Sequence, residues 1–567
     1  MLFLLSTLAL ATPGFDPSEP AARFTEEHTY TADGEIKLWS AIERLEDPDR
    51  TLLVQEEFST ALEWPPNVAY APFIRQAFGT ARPGSHAALL HMGLNEGIAF
   101  GTPILMVHGA GDNGSRSFVT MATRFDRRFR PVYALTFAHP HGDVFAQAEL
   151  IADAIARIRE RTGAEQVDIV AHSKGGISAA IYLSHHDGAD WDNDAYESVG
   201  TTYRGDVRRA VFIASPLGGT DTSFRWSANN YAALDADTAL TPSSWSTYYP
   251  TGTGNWWNSV DLSEQDFLAA DGDLFPGQRQ ILARQPYTLP GANPTLGAYA
   301  VQQDWYTTYE GGLGYFSSSA GIDAVIEDGG SVIEHLHEVG VDPQVELFLL
   351  AGTSPLMSNG VDWVDEIYGD TWAEELGASA DAWAEFTAEL VGDSLLHQGM
   401  SQASVQGLAR GELVLGEITG PSDGVVFESS ATDAAALTAR GAVVVQTQTL
   451  ELSHLDLLYA SPVTGQLLIE QAEGEDGSPW MAEFGERYAE ADALGWVEEV
   501  LADDEIEPDT DEDSDVVVDT DEPSSQDTGD DEDAGLGTCG CQAAPSPALG
   551  WLSLTGLVGL LGWRRRR

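Results

Sequence analysis

The chain has 567 residues, of which 89 are acidic and 28 basic, and its formal net charge is −61 at pH 7. This length exceeds one average domain, and 43% hydrophobic residues can bury a large core over most of it. The charge excludes nucleic acid as a partner, because phosphates are bound by Lys and Arg. Only two residues are lysines, which fits either a saline habitat or a secreted protein from a GC-rich genome.

The first residues predict a secretory signal peptide over residues 1–12. Leu2 to Leu10 form a short apolar run, and Ala9-Leu10-Ala11 has the small-x-small form that a signal peptidase reads. No basic residue precedes the run, so a misplaced start codon and a plain buried N-terminus stay open as alternatives. Residues 13–85 form a polar and aromatic leader to which the sequence assigns no role.

Residues 86–501 alternate short apolar strands with helices, which predicts an α/β domain with a mostly parallel sheet flanked by helices. The helix from Val144 to about Arg161 carries Ile151, Ile155 and Ile158 at helical spacing, and Gly163 ends it. Strands are predicted at Ala87–Met92, Ile104–His108, Val132–Thr136, Val167–Ala171, Val211–Ala214, Val345–Ala351 and Val443–Thr447.

Two long stretches interrupt this alternation. Residues 222–340 are rich in Trp and Tyr, and loops of this length in a compact domain are usually lids or binding elements. Aromatic side chains suit an acyl chain or a polymer surface, although each one is equally well explained as the core of a small cap domain. Residues 353–420 form a second insertion, predicted to be partly helical around Ser379–Val391.

A tight turn from strand to helix is predicted at Ser173, within Val-Asp-Ile-Val-Ala-His-Ser-Lys-Gly-Gly over residues 167–176. This is the pattern of a nucleophile elbow, whose positions two before and two after the serine have to be small, as Ala171 and Gly175 are. The N-terminus of the following helix favours developing negative charge. We therefore predict Ser173 to be a catalytic nucleophile; the alternative is a structural turn.

A second motif precedes the serine by about 65 residues, where a buried strand ends in His108-Gly109. Acyl transfer needs two donors preset for the tetrahedral oxyanion, and backbone N–H groups need no reorganisation when the charge appears. The predicted pair is the N–H of Ala110 and the N–H of Lys174. His108 is expected to brace this loop by hydrogen bonding rather than to act as the base.

The acid and the base are predicted on two loops near the C-terminal end of the domain. Asp423 lies in Ser-Asp-Gly-Val-Val, and His454 follows the last predicted strand. A carboxylate on one loop can hold an imidazole on the other in the tautomer that accepts the serine proton. The competing acids are Asp362 and Asp365, and the competing bases are His335, His337 and His397.

These motifs resemble the bacterial triacylglycerol lipases of the α/β-hydrolase superfamily. The resemblance rests on the elbow, on Asp423 in its Ser-Asp-Gly-Val-Val, on His454-Leu455-Asp456 and on the Pro-Leu-Gly-Gly-Thr of residues 216–220. It implies the α/β-hydrolase fold with a long, aromatic-rich lid or cap insertion. The resemblance also implies a structural calcium site. Asp456 matches one of its ligands and Asp362 could supply another, but the other ligand positions do not align.

The function that the resemblance implies is hydrolysis of ester or lipid substrates, through an acyl-enzyme formed by Ser173, His454 and Asp423, without a cofactor. Two alternatives stay open. One is a polyester depolymerase or another carboxylesterase on the same fold. The other is a surface-displayed binding protein that has kept the fold and lost its chemistry.

The C-terminal end predicts a spacer and a sorting tail. Residues 503–533 hold 17 Asp or Glu and no basic residue, so residues 502–537 should be a disordered acidic spacer. Residues 538–567 contain Cys539 and Cys541, the only cysteines, then an apolar run from Ala548 to Trp563 and four arginines. The Cys-x-Cys pair lacks the further ligands of a zinc site.

This tail resembles the myxobacterial C-terminal sorting tail. The resemblance implies a processing machinery as partner, contact with the membrane through the apolar segment, and a location that is secreted or on the cell surface, associated with the outer membrane. About sixteen apolar residues are short for a span of about twenty. The alternative is an ordinary tail anchor whose arginines stay on the cytoplasmic side.

Overall fold

The sheet that organises the chain is seen in a computed structural model. The structure describes residues 22–24, 28–31, 34–36, 39–46, 76–79, 86–110, 113–140, 142–185, 201–221, 276–285, 312–313, 318–319, 322–354, 421–473 and 479–503. The predicted signal peptide, the aromatic-rich part of the first insertion, the second insertion from residue 355 onward, the acidic spacer from residue 504 and the tail lie outside these ranges.

Nine of the described strands form one sheet, in the order β1-β4-β5-β7-β6-β8-β9-β12-β13. The six strands from β7 to β13 in that order run parallel, whereas β1, β4 and β5 pair antiparallel at the other end. The small pairs β2/β3 and β10/β11 lie apart from this sheet. The strands are β1 Ala22–Phe24, β2 His28–Thr31, β3 Gly34–Ile36, β4 Trp39–Glu46, β5 Ala87–Gly93, β6 Ile104–Val107, β7 Val132–Phe137, β8 Val167–His172, β9 Val207–Ile213, β10 Gly312–Leu313, β11 Ser318–Ser319, β12 Glu346–Gly352 and β13 Val443–Leu450.

Helices cover both faces of the sheet. One hydrophobic core takes side chains from α3, α4, α7 and α9, and the other takes side chains from α2, α11 and α12. The described helices are α1 Gly114–Ser117, α2 Val119–Asp126, α3 Val144–Thr162, α4 Lys174–Ser184, α5 Pro276–Gln280, α6 Ile322–Asp328, α7 Val332–Val339, α8 Glu428–Ala431, α9 Ala435–Thr438, α10 Pro462–Ala472, α11 Pro479–Ala491 and α12 Ala493–Val500, with short 3-10 turns at Glu96–Ile98 and Asp456–Leu458.

Continuous apolar strands result from this two-sided burial. In β6, Leu105 and Val107 enter one core while Ile104 and Met106 enter the other, because successive side chains of a strand point to opposite faces. The strand order and the flanking helices are those of the α/β-hydrolase fold, so the predicted fold class is confirmed. All seven predicted strands are present, with ends that differ by a few residues.

The long helix α3 follows the predicted boundaries closely. Asp143 caps its N-terminus, since its Oδ1 accepts the N–H groups of Phe145 and Ala146 at 2.8 and 3.0 Å. Gly163 ends it in the left-handed conformation, with φ 73°, which glycine adopts without a steric penalty. The helix therefore has a fixed start just beyond the carboxyl end of β7.

Part of the leader belongs to the sheet. Strand β4 pairs antiparallel with β5, and Trp39 at its start is only 1% exposed. Glu43 of β4 forms ion pairs with Arg157 and Arg161 of α3 at 2.7 and 2.6 Å. The sheet thus begins well before residue 86, where the sequence placed the start of the catalytic domain, and this part of the leader is structural.

The last described residues join an ion-pair cluster at the end of the sheet where the parallel strands begin. Asp168 of β8 is fully buried and pairs with Arg130 and Arg208, each at 2.6 Å. Arg208 also pairs with Asp503 at 2.8 Å, and Asp503 accepts hydrogen bonds from the N–H and the hydroxyl of Thr102. Asp503, which follows the predicted end of the domain at residue 501, is therefore held to the sheet by these contacts.

The C-terminal end of the first predicted insertion packs against the sheet. Helix α7 places Val332, Ile333 and Leu336 in the core that also contains α4. It acts as a crossover helix between β9 and β12, so residues 332–339 of the predicted insertion pack in the core of the α/β domain. The aromatic residues that predicted the lid lie outside the described residues. Within the described part, no helix is both long and apolar enough to cross a membrane.

A histidine–aspartate pair connects this crossover helix to the segment before α9. His337 donates from Nδ1 to the Ile333 carbonyl at 2.7 Å and from Nε2 to Asp433 Oδ2 at 2.9 Å. Both ring nitrogens face acceptors, which is the arrangement that the imidazolium satisfies. The hydrogen bond with Asp433 raises the pKa of His337, although burial opposes it, and the same bond lowers the pKa of Asp433.

We expect this pair to stabilise the fold in a pH-dependent way. Because the pKa of His337 is raised in the folded state, its contribution is full below the ordinary value of 6.5 and is lost as pH rises through the raised value. The variant His337→Gln should lose about 0.5–1 kcal/mol of unfolding free energy at pH 5.5 and much less at pH 8.5. Urea unfolding at the two pH values measures the difference; an equal loss at both would contradict the assignment.

Candidate active site

Ser173 is the single residue between β8 and α4. Its backbone has φ 53° and ψ −134°, a conformation that costs a non-glycine residue about 1–3 kcal/mol. Serine is a favoured N-cap, yet the Ser173 hydroxyl makes no capping bond to its own helix. The turn therefore leaves Oγ available for chemistry at the carboxyl end of the central strand.

The glycines after Ser173 are explained by close backbone approach. A Cβ at Gly175 would lie 2.9 Å from the Val107 carbonyl oxygen, and one at Gly176 would lie 2.5 Å from Ser215 Cβ. Such distances are shorter than real Cβ contacts allow. The start of α4 is therefore pressed against the ends of β6 and β9, which fixes the elbow relative to its neighbouring loops.

The loop after β6 lies against the serine. A Cβ at Gly109 would be 2.5 Å from Ser173 Cβ and 3.1 Å from Ser173 Oγ. His108 donates from Nδ1 to the Gly109 carbonyl at 2.7 Å, and its Nε2 accepts the N–H of Phe137 at 3.1 Å. Both ring nitrogens are thus used in holding the loop, as expected for a bracing residue. Ala110, one of the two predicted donors, is the next residue of this loop.

The other predicted donor, Lys174, is the first residue of α4, and its side chain is buried. Its Nζ donates to Gln147 Oε1 at 2.5 Å, and the same oxygen accepts the Ser178 hydroxyl at 3.0 Å. The first insertion reaches this region through α5, where Gln280 donates to Asp143 Oδ2 at 2.6 Å. The sequence did not reveal this network, because its members lie on segments far apart in the chain.

Asp423 and His454 form a buried pair on the loops that follow β12 and β13. His454 donates from Nδ1 to Asp423 Oδ2 at 2.8 Å, and the His454 N–H donates to the Asp423 carbonyl at 2.9 Å. Asp423 Oδ1 accepts the N–H groups of Val425 and Val426 at 2.9 and 2.7 Å. With its proton on Nδ1, the imidazole presents Nε2 as an acceptor, which is the form a general base needs.

His172, the residue before the serine, contacts the predicted base. The ring centroids of His172 and His454 are 4.6 Å apart, and His172 Nε2 donates to the His454 carbonyl at 3.0 Å. Ser173 Oγ is not hydrogen bonded to the imidazole in the structure. Hydrogen bonds between catalytic residues often form only when substrate is bound. The structure thus places Ser173, His454 and Asp423 at the carboxyl ends of the parallel strands.

The competing residues are placed elsewhere or are not described. His335 and His337 lie on the crossover helix α7, and His337 is engaged by Asp433. Asp362, Asp365 and His397 lie outside the described residues. Of the histidines proposed as the base, only His454 is seen beside the elbow.

The described residues give no support to a calcium site. Asp456 is buried, and its Oδ1 accepts the Tyr488 hydroxyl at 2.5 Å. Within the part of the chain that the structure describes, no group of three or more His, Cys, Asp or Glu could hold a metal ion. The second predicted ligand, Asp362, is not among the described residues.

Residues 101–224 match the model of the family described as Lipase (class 2). The matched part runs from just before β6 to just beyond β9 and includes Gly109 and Ser173, but not Asp423 or His454. Together with the fold, the match supports a carboxylic ester hydrolase.

Solved structures of bacterial proteins, a lipase and a carboxyl esterase among them, are similar to the chain at low identity. The mature lipase BlEst2 of Bacillus licheniformis is 14% identical over 63% of this chain and 86% of that one, with a TM-score of 0.29. A gene product of Listeria innocua is 13% identical over 67% and 97%, with a TM-score of 0.27. A carboxyl esterase of Bacillus coagulans is 14% identical over 47% and 75%, with a TM-score of 0.22. Likenesses this weak say nothing about substrate.

Replacing Gly109 tests whether the loop after β6 contributes to catalysis. In Gly109→Ala the new methyl group would overlap Ser173, so loop or serine has to move, and kcat/KM should fall about 10²-fold. Gly97→Ala is the matched control, since a Cβ there meets nothing within 4 Å, and it should stay within about 2-fold of the wild type. Steady-state kinetics on a short p-nitrophenyl ester measures both; equal activity of the two variants would contradict the close contact.

Replacing Ser173 separates backbone strain from chemistry. Both Ser173→Ala and Ser173→Gly should be inactive, but only glycine removes the Cβ that makes φ 53° unfavourable. Strain relief of about 1–3 kcal/mol exceeds the entropic cost of glycine of about 0.5–1 kcal/mol, so the Gly variant should unfold at higher urea than the Ala variant. A Gly variant that is less stable than the Ala variant would show that the turn is not strained.

Proposed function

We propose that this protein is a serine hydrolase that cleaves carboxylic esters, lipid esters above all, through an acyl-enzyme on Ser173. The observation that carries the proposal is the strained Ser173 at the end of β8, whose neighbour His172 contacts a buried His454. The Nδ1–H of His454 is held in turn by Asp423 at 2.8 Å. The match of residues 101–224 to the class 2 lipases supports an ester as substrate.

The reaction proceeds by acyl transfer in two steps. His454 Nε2 takes the proton of Ser173, and Oγ attacks the ester carbonyl to form a tetrahedral intermediate. The N–H groups of Ala110 and Lys174 stabilise the oxyanion. The intermediate collapses as Nε2 returns the proton to the departing alcohol. Water, deprotonated by His454, then attacks the acyl-enzyme, and Ser173 leaves with its proton restored.

Asp423 is proposed to hold the base and not to exchange protons. Its Oδ1 is occupied by two backbone N–H groups and its Oδ2 by the Nδ1–H of His454. This arrangement keeps the imidazole in the required tautomer and stabilises the imidazolium that forms when Ser173 loses its proton.

The strained serine also argues against a binding protein that has lost its chemistry. A non-glycine residue in the conformation of Ser173 costs about 1–3 kcal/mol, and a protein without catalysis would gain stability by replacing it. The intact pair of Asp423 and His454 beside it has no evident use in binding alone.

The mutation Asp423→Asn tests the proposal. The amide cannot hold the Nδ1–H tautomer, so kcat on p-nitrophenyl esters should fall on the order of 10³–10⁴-fold. Asp433→Asn is the matched control, because Asp433 also bonds a histidine, at 2.9 Å, and lies in the same part of the chain. It should change kcat less than about 2-fold. A small effect of Asp423→Asn together with a large effect of Asp362→Asn would make Asp362 the acid.

We also propose that the enzyme is exported and displayed at the cell surface through its C-terminal tail. The support is the order of the acidic spacer, Cys539, Cys541, the apolar run and the final arginines. Because a Cys-dependent sorting signal needs its thiols, replacing both cysteines with Ser should change the size or the location of the protein in fractionated cells. Unchanged processing and location would leave a plain membrane anchor as the explanation.

A further inference from the structure

His172, the last residue of β8, lies between the nucleophile and the loop of the base. Its side chain is 3% exposed, and its Nε2 lies 3.0 Å from the His454 carbonyl oxygen. A carbonyl can only accept, so the proton of the His172 ring is on Nε2. Its Nδ1 has no hydrogen-bond partner among the described residues. Among the described residues, the His172 ring therefore has one hydrogen-bond partner, the backbone carbonyl of His454, which is the proposed base.

The loop that carries His454 joins the sheet at its outermost strand, where a contact with the central strands adds rigidity. It follows β13, the strand at the edge of the sheet, where Val443 and Val445 are 62% and 54% exposed. Strand β8, in contrast, is buried along its whole length between β6 and β9. The bond from His172 thus connects a peripheral loop to the rigid central strand that also carries Ser173.

We propose that His172 is a positioning residue, which holds His454 in line with Ser173 through the hydrogen bond from its Nε2–H to the His454 carbonyl. This inference rests on the proposed function, since it assigns a role toward the same nucleophile and base. The distance between Ser173 Oγ and His454 Nε2 depends on how the loop after β13 lies relative to the turn after β8, and His172 fixes that position.

His172 is also suited to lie beside the base without competing for its proton. Burial, and next to it the charge that His454 can carry, keep the pKa of His172 well below its ordinary value. With centroids only 4.6 Å apart, two imidazolium rings would repel each other. We therefore do not expect His172 to compete with His454 for the proton of Ser173.

The test compares His172→Phe, His172→Gln and His172→Asn. Phenylalanine keeps a buried ring but has no donor. The amide nitrogen of glutamine reaches about as far as Nε2, whereas that of asparagine reaches only as far as Nδ1. Active sites are titrated with a fluorophosphonate, so that kcat refers to competent enzyme and misfolded protein does not count.

We expect kcat per titrated site to fall about 10–100-fold in the Phe and Asn variants, with KM nearly unchanged, because a shift of about 1 Å at the base has effects of this size. The Gln variant should recover most of the loss. His185→Phe is the matched control: it removes a buried histidine at the far end of α4 and should keep the wild-type kcat per site.

Two results would overturn the role of His172. One is a wild-type kcat per titrated site in His172→Phe, which would reduce the residue to packing. The other is equal activity of the Gln and Asn variants, which settles the question even if the Phe variant does not fold. A wild-type protein that fluorophosphonate does not label would instead refute the proposed function, whatever the His172 variants do.

Discussion

The site depends on one backbone constraint, the passage from β8 to α4 through a single residue. That passage holds Ser173 at φ 53° and requires small residues wherever the helix start meets the neighbouring strands, as at Gly175 and Gly176. The same turn places Gly109 of the loop after β6 against the serine. The nucleophile and the proposed oxyanion loop therefore form one rigid unit, to which the acid and base loops are added.

Buried hydrogen bonds connect the loops of Asp423 and His454 to this unit at the carboxyl ends of the parallel strands. The Asp423 carboxylate is fixed by two backbone N–H groups, and it fixes His454 in turn. His172 connects His454 to the central strand. At the other end of the strands, Asp168 holds Arg130 and Arg208 together, and Asp503, the last described residue, joins the same ion-pair cluster. The candidate catalytic residues and the ion-pair cluster thus lie at opposite ends of the strands.

Short-range patterns made the central strands and the elbow predictable. Continuous apolar runs mark strands that are buried on both faces, and the small residues around Ser173 mark the elbow. Strand β4 was not recognised, because its antiparallel, partly charged sequence lacks such a run. The contact of His172 with His454 spans 282 residues, and that of Asp503 with Thr102 spans 401, so no local pattern could reveal them. The order of motifs along the chain predicts Asp423 and His454 on neighbouring loops, and the structure places them as a hydrogen-bonded pair.

The central claim is that Ser173 forms a covalent bond with the substrate's acyl group, and a covalent probe tests it most directly. Purified protein is treated with a fluorophosphonate, and its intact mass and peptide map are measured. The account predicts one adduct per chain, on Ser173, with no adduct in Ser173→Ala and much slower labelling in Asp423→Asn. An adduct on another residue, or a wild-type protein that stays unlabelled while folded, would contradict it.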